Sequence, residues 1–168
     1  MTVAAPDEAV EACQPARGPA EPLEAFVQRL ALAKAEAIAA AGIEGTIVAC
    51  DTLSEVAGLV LGKPADATDA RRMLESLSGR RHRVLTGVCV WNHPHSRPRL
   101  AVAESLLAMG ALSEDFLAWY LASGLWEGKA GACGFQDERL PLTLVAGSPS
   151  NVVGLPLELL REMLAEVN

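Results

Sequence analysis

Two β-rich runs, Val84 to Trp91 and Leu100 to Met109, flank the polar, proline-containing segment Asn92-His93-Pro94-His95-Ser96-Arg97-Pro98-Arg99. Two prolines cannot both sit inside a sheet ladder, so the segment is a turn and the two runs pair as a hairpin. Helical patterns lie on both sides of this hairpin. A hairpin interleaved with helices implies an α/β chain with a mixed sheet and disfavours a purely parallel, doubly wound arrangement.

The helical patterns are legible from spacing. At about 100° per residue, Leu23, Phe26, Val27, Leu30, Ala37, Ile38 and Ala41 share one arc, while Arg29 and Glu36 face away. Gly42 can end that helix. Thr46-Ile47-Val48-Ala49-Cys50 then reads as a buried strand ending at Asp51, and Leu59-Val60-Leu61 as a short second strand. Asp66 can cap a helix running to about Leu77, with Gly79 ending it. Ser113 is a cap for a helix to about Leu121. Leu142 to Val145 is an expected strand, and Leu155 to Val167 a closing helix begun by Pro156. Residues 1–22, rich in Ala, Pro and acids, read as a loosely ordered lead-in before a single domain over 23–168.

Composition limits the function classes. A chain of 168 residues with 51% hydrophobic residues can bury a substantial core. A net charge of −7 argues against a nucleic-acid polymer or a membrane surface as partner, both of which call for a basic face. Cys13, Cys50, Cys89 and Cys133 form no close pair, which suits reduced thiols rather than disulfides or zinc. With no spanning run and no signal-peptide pattern, the expected compartment is the cytoplasm.

Several charged residues stand where they are least expected. Lys34 falls at the centre of the apolar arc of its own helix, between Leu30 and Ile38. A buried ammonium is costly unless paired, so its head either snorkels to solvent or projects into a cleft. Asp51, at the expected end of a strand, is placed either to meet a ligand or to cap a turn. Lys63, between Gly62 and Pro64, is either a ligand-facing cation or a solvated turn lysine. Gly128-Lys129-Ala130-Gly131-Ala132-Cys133-Gly134-Phe135-Gln136 surrounds one lysine with glycines. Backbone N–H groups and an ammonium could there converge on phosphate oxygens, and Gln136 could read a base edge. The spacing of a Walker A loop is absent. Ser105 has no nucleophile-elbow context, so serine-hydrolase chemistry lacks support.

Taken in order, Ala31-Leu32-Ala33-Lys34-Ala35, Ala49-Cys50-Asp51-Thr52, Leu61-Gly62-Lys63-Pro64, Leu77 to Val88, Lys129 to Gln136 and Asn151 to Leu157 resemble the Maf family of nucleoside triphosphate pyrophosphatases. The resemblance covers residue 22 to the end and implies a Maf/ITPase-like fold, an elongated mixed sheet with helices in two lobes around a cleft. It implies hydrolysis of a nucleoside triphosphate, dTTP or UTP by the look of the Lys129–Gln136 segment, to the monophosphate and pyrophosphate. It implies a divalent cation, magnesium or manganese, with Asp51 as general base and metal ligand. Lys34, Lys63 and Lys129 would hold phosphates, and Thr52 and Gln136 would bear on base selection. An unpaired sheet edge, where the family pattern has an opening strand, leaves a homodimer open as the assembly.

The sequence departs from the family pattern in three places. A Ser-x-Ser-Pro-Arg-Arg loop is not among these residues, and Glu11 is a poor counterpart of the acidic pair that follows it. Where the pattern has Asp-Lys-Ala-Gly-Ala-Tyr, Gly128 and Cys133 replace the acid and the tyrosine. Two readings follow: an active enzyme whose start lies upstream, or a paralogue that binds nucleotide without turning it over.

Overall fold

The computed structural model describes residues 17, 18 and 20–166. Most of the expected lead-in, together with Glu11, Cys13 and Val167, lies outside them. The described elements are α1 (Leu23–Ala40), β1 (Gly45–Val56), β2 (Leu59–Leu61), α2 (Ala67–Leu77), β3 (Arg81–His93), β4 (Arg99–Met109), α3 (Glu114–Ala122), a 3-10 turn (Ala130–Ala132), β5 (Leu142–Ala146), α4 (Pro149–Val152) and α5 (Leu157–Ala165). The expected hairpin is β3–β4. The expected caps are present: the Asp66 side chain accepts from the Asp69 N–H, and the Ser113 side chain from the Phe116 N–H. Among the described residues, no helix is long and apolar enough to cross a membrane.

One expectation fails in an informative way. Asp51 does not end its strand, because β1 continues for five more residues to Val56. The continuation is held by a hairpin to β2, with Ser54 opposite Leu61 and Val56 opposite Leu59. Its two-residue turn, Ala57-Gly58, takes positive φ at both positions (51° and 84°), which matches the twist of the paired strands. The Glu55 carboxylate accepts the Gly58 N–H and secures that turn.

The strand order is β2-β1-β3-β4-β5. The α/β class holds, but the sheet is antiparallel rather than mixed. The reason is connectivity: β1–β2 and β3–β4 are hairpins, and the α2 connection from β2 to β3 steps over β1, so neighbours alternate in direction. At the other edge β4 and β5 pair antiparallel, with Leu107 opposite Leu144 and Met109 opposite Leu142.

The chain forms two compact units. The first contains the chain up to Asp51, Thr86–Ala103 and the chain from Gly154. In it, Ala31 and Ala35 of α1 pack with Ile47 and Cys89. Val88 and Val90 pack with Met163 of α5. The alternation of Val88, Cys89 and Val90 between these clusters follows from the two-residue period of a strand. Helix α1 approaches β3 so closely that a Cβ on Gly87 would lie 2.2 Å from the Val27 carbonyl oxygen. The second unit contains Thr52–Leu85 and Glu104–Val153. Its core joins Leu61, Met73, Leu74, Leu77, Met109 and Tyr120.

The Gly87 contact is against backbone, which cannot rotate away. Gly87→Ala is expected to cost about 3 kcal/mol or more in urea unfolding. Gly62→Ala, where a Cβ would meet nothing within 4 Å, is the near-neutral control.

Candidate functional site

In the first unit, the structure brings Lys34 and Asp51 together. Lys34 leaves α1 three residues after Ala31 and one before Ala35, both fully buried. Its ammonium does not snorkel outward. Nζ lies 2.5 Å from Asp51 Oδ1, with side-chain exposures of 17% and 7%, and donates to the Cys50 carbonyl at 3.4 Å. A half-buried lysine on an apolar face thus meets a buried carboxylate of strand β1. Each charge offsets the desolvation cost of the other.

Thr52 follows Asp51 on β1 and is half-buried. Consecutive side chains in a strand leave on opposite faces, so Thr52 does not share the face of Asp51.

The second unit collects the remaining candidates around one loop. The Gly131 N–H donates to the Gly62 carbonyl at 2.9 Å, tying the exposed Lys63 turn to the 3-10 turn after Lys129. Lys129 Nζ donates to both oxygens of Asp137, at 2.7 and 2.8 Å. The Tyr120 hydroxyl donates to Asp137 Oδ2 at 2.6 Å, and the Gly134 N–H to the same oxygen at 3.1 Å. Gln136 is exposed in this turn and directly precedes Asp137.

Burial alone would raise the Asp137 carboxyl. The hydrogen bonds from Lys129 and Tyr120 outweigh it, and the group is held below the usual aspartate range. Burial and the Asp137 carboxylate together push the Tyr120 phenol well above its ordinary value. Asp137 and Tyr120 are the residues that sequence reasoning missed. The available signal was an acid eight positions after a glycine-flanked lysine, which spacing rules do not single out.

Other residues resolve as structural. Asn151 is 1% exposed, and its amide donates to the Val84 carbonyl at 3.2 Å and to Ser105 Oγ at 2.9 Å. Cys50, Cys89 and Cys133 are free thiols, as expected. Burial raises them to about 11, 11 and 12, which removes them as nucleophiles near neutrality.

Comparisons with known proteins agree on one group. A family model described as Maf-like protein matches residues 2–167. The dTTP/UTP pyrophosphatase of Rhodopirellula baltica (strain DSM 10527 / NCIMB 13988 / SH1) is 42% identical over 140 residues, covering 83% of this chain and 62% of that protein. The dTTP/UTP pyrophosphatase of Anaeromyxobacter sp. (strain Fw109-5) is 45% identical over 151 residues, covering 87% and 71%. That of Pyrococcus horikoshii (strain ATCC 700860 / DSM 12428 / JCM 9974 / NBRC 100139 / OT-3) is 39% identical over 119 residues, covering 70% and 63%. The chain therefore spans less than two thirds of the Rhodopirellula protein's length.

The two ion pairs make separable predictions. Lys34→Met strands the Asp51 carboxylate in a buried place and should cost about 3 kcal/mol in urea unfolding; adding Asp51→Asn should recover part of that loss. For Asp137, a lowered carboxyl contributes stability above the unfolded aspartate range, and that stability is lost as pH falls through it. Wild-type protein should therefore lose more stability between pH 7 and pH 3 than Asp137→Asn, measured by urea unfolding at each pH.

Proposed function

The chain belongs to the family of Maf-like proteins, and from that premise we propose that it is a nucleoside triphosphate pyrophosphatase. It would hydrolyse dTTP or UTP to the monophosphate and pyrophosphate. The observation that carries this reading is the Lys34–Asp51 pair: a buried carboxylate on a strand, oriented by an ammonium from a helix. Relatives named dTTP/UTP pyrophosphatase support the substrate class.

In this reading a water attacks phosphorus, the bond between the α- and β-phosphates breaks, and pyrophosphate leaves. Asp51 accepts the proton that the water gives up, and Lys34 fixes the direction of its carboxylate. Lys63 and Lys129 direct N–H donors at phosphate oxygens, where negative charge develops. Gln136 and Thr52 bear on the base.

A magnesium or manganese ion is part of the proposal. The described residues contain no group of three His, Cys, Asp or Glu placed to hold a metal. A hard cation that rides on a triphosphate needs only one or two protein carboxylates, and Asp51 fits that requirement. When bound, the ion would neutralise phosphate charge.

Incubation of the protein with dTTP or UTP and magnesium or manganese should release pyrophosphate, measured by a coupled assay. Asp51→Asn should lower kcat by roughly 10²-fold or more. Folded wild-type protein that turns over no canonical triphosphate would sink the reading; nucleotide affinity without turnover would favour a binding protein instead.

A further inference from the structure

We propose that Asp137 is a positioning residue for the nucleotide site, acting on the phosphates only through Lys129. The inference rests on the pyrophosphatase reading and adds to it a residue that the sequence pattern does not single out.

The geometry is that of a clamp. Lys129 Nζ sits 2.7 and 2.8 Å from the two Asp137 oxygens, so the ammonium is gripped from one side. A lysine ammonium has three N–H donors and no acceptor, and two contacts leave at least one donor for another oxygen. Asp137 is itself fixed, by the Tyr120 hydroxyl at 2.6 Å and the Gly134 N–H at 3.1 Å. Tyr120 is fully buried, so the clamp is anchored in the core of its unit rather than in the loop.

The lysine stem is fixed as well. A Cβ on Gly134 would lie 3.0 Å from Lys129 Nζ and 3.1 Å from both Cδ and Cε. The stem therefore lies close against the Gly134 backbone, where an added methyl would press it aside by a few tenths of an ångström. An otherwise flexible side chain is thus ordered along its length and aimed at its tip.

The placement bears on phosphate recognition. The Lys129–Asp137 pair carries no net charge as a whole, so Lys129 meets a phosphate oxygen through the N–H donor that Asp137 leaves open. Gly128 stands where the resembled pattern has an acid directly before the lysine. In this chain the carboxylate on that lysine comes from Asp137, the residue after Gln136.

A double-mutant cycle tests this. The full chain and its Asp137→Asn, Lys129→Ala and doubly substituted forms are compared in kcat/KM for dTTP. Binding of the non-hydrolysable α,β-methylene analogue of dTTP is measured by calorimetry. Asp137→Asn should weaken both by at least roughly tenfold when Lys129 is present. It should weaken them less than about twofold in the Lys129→Ala background, and Asp137→Glu should restore part of the loss. Effects that multiply in the double variant, or an Asp137→Asn protein equal to wild type, would overturn the inference while leaving the pyrophosphatase reading intact. Wild-type protein that neither binds nor hydrolyses a triphosphate would overturn both. If Asp137→Asn does not fold, Gly134→Ala takes its place in the cycle, since it displaces the lysine stem without changing charge; independence from Lys129 would again refute the clamp.

Discussion

A lysine ammonium on the apolar face of α1 is tolerable only because β1 delivers a carboxylate to it. Lys34 and Asp51 meet at 2.5 Å with little solvent on either. That demand constrains the first unit: α1 and the neighbouring sheet must lie close enough for the pair to form. The Gly87 contact with the Val27 backbone is the mark of that close packing. Ala31 and Ala35, on either side of Lys34, are small enough to permit it. A helix of larger residues would hold the strand away and leave two charges buried without partners, at a cost of several kcal/mol.

The second unit uses the same device with different elements. Lys129 is held by Asp137, and Asp137 by a buried tyrosine and a backbone N–H. Both lysines therefore arrive oriented and already compensated. A surface lysine would lose roughly 2 kcal/mol of rotamer freedom on contacting a ligand. Here most of that loss is taken at folding, which favours directional binding over charge-driven capture. The chain's net charge of −7 points the same way, since long-range attraction of a polyanion is not available to it.

Much of this was legible in the sequence, and the boundary of legibility has a physical cause. Helix periods, the Asp66 and Ser113 caps and the β3–β4 hairpin depend on local spacing, and local spacing is what a sequence displays. Lys34 announced itself by violating the period of its helix. The extension of β1 to Val56 did not, because Ala57-Gly58 lacks the Asn or Asp that usually marks a two-residue turn, and Ser54 and Glu55 break the apolar run. The sheet's antiparallel character followed from that hidden hairpin. Asp137 was invisible for another reason: its importance lies in Tyr120, seventeen residues earlier, and no local rule links a helix tyrosine to a turn aspartate.

These two kinds of residue differ in what they can say about chemistry. Asp51 and Lys34 were found as anomalies, and an anomaly suggests function before structure supplies its partner. Asp137 is no anomaly in sequence, yet its environment is the more elaborate, with three donors on one carboxylate and a depressed titration. Such an arrangement fixes the ammonium along with the turn that carries the carboxylate. Anchoring the pair to a fully buried phenol is consistent with an ammonium whose position matters more than its charge. For a proposed reaction in which phosphate oxygens must meet donors in fixed directions, that is the property the site would require.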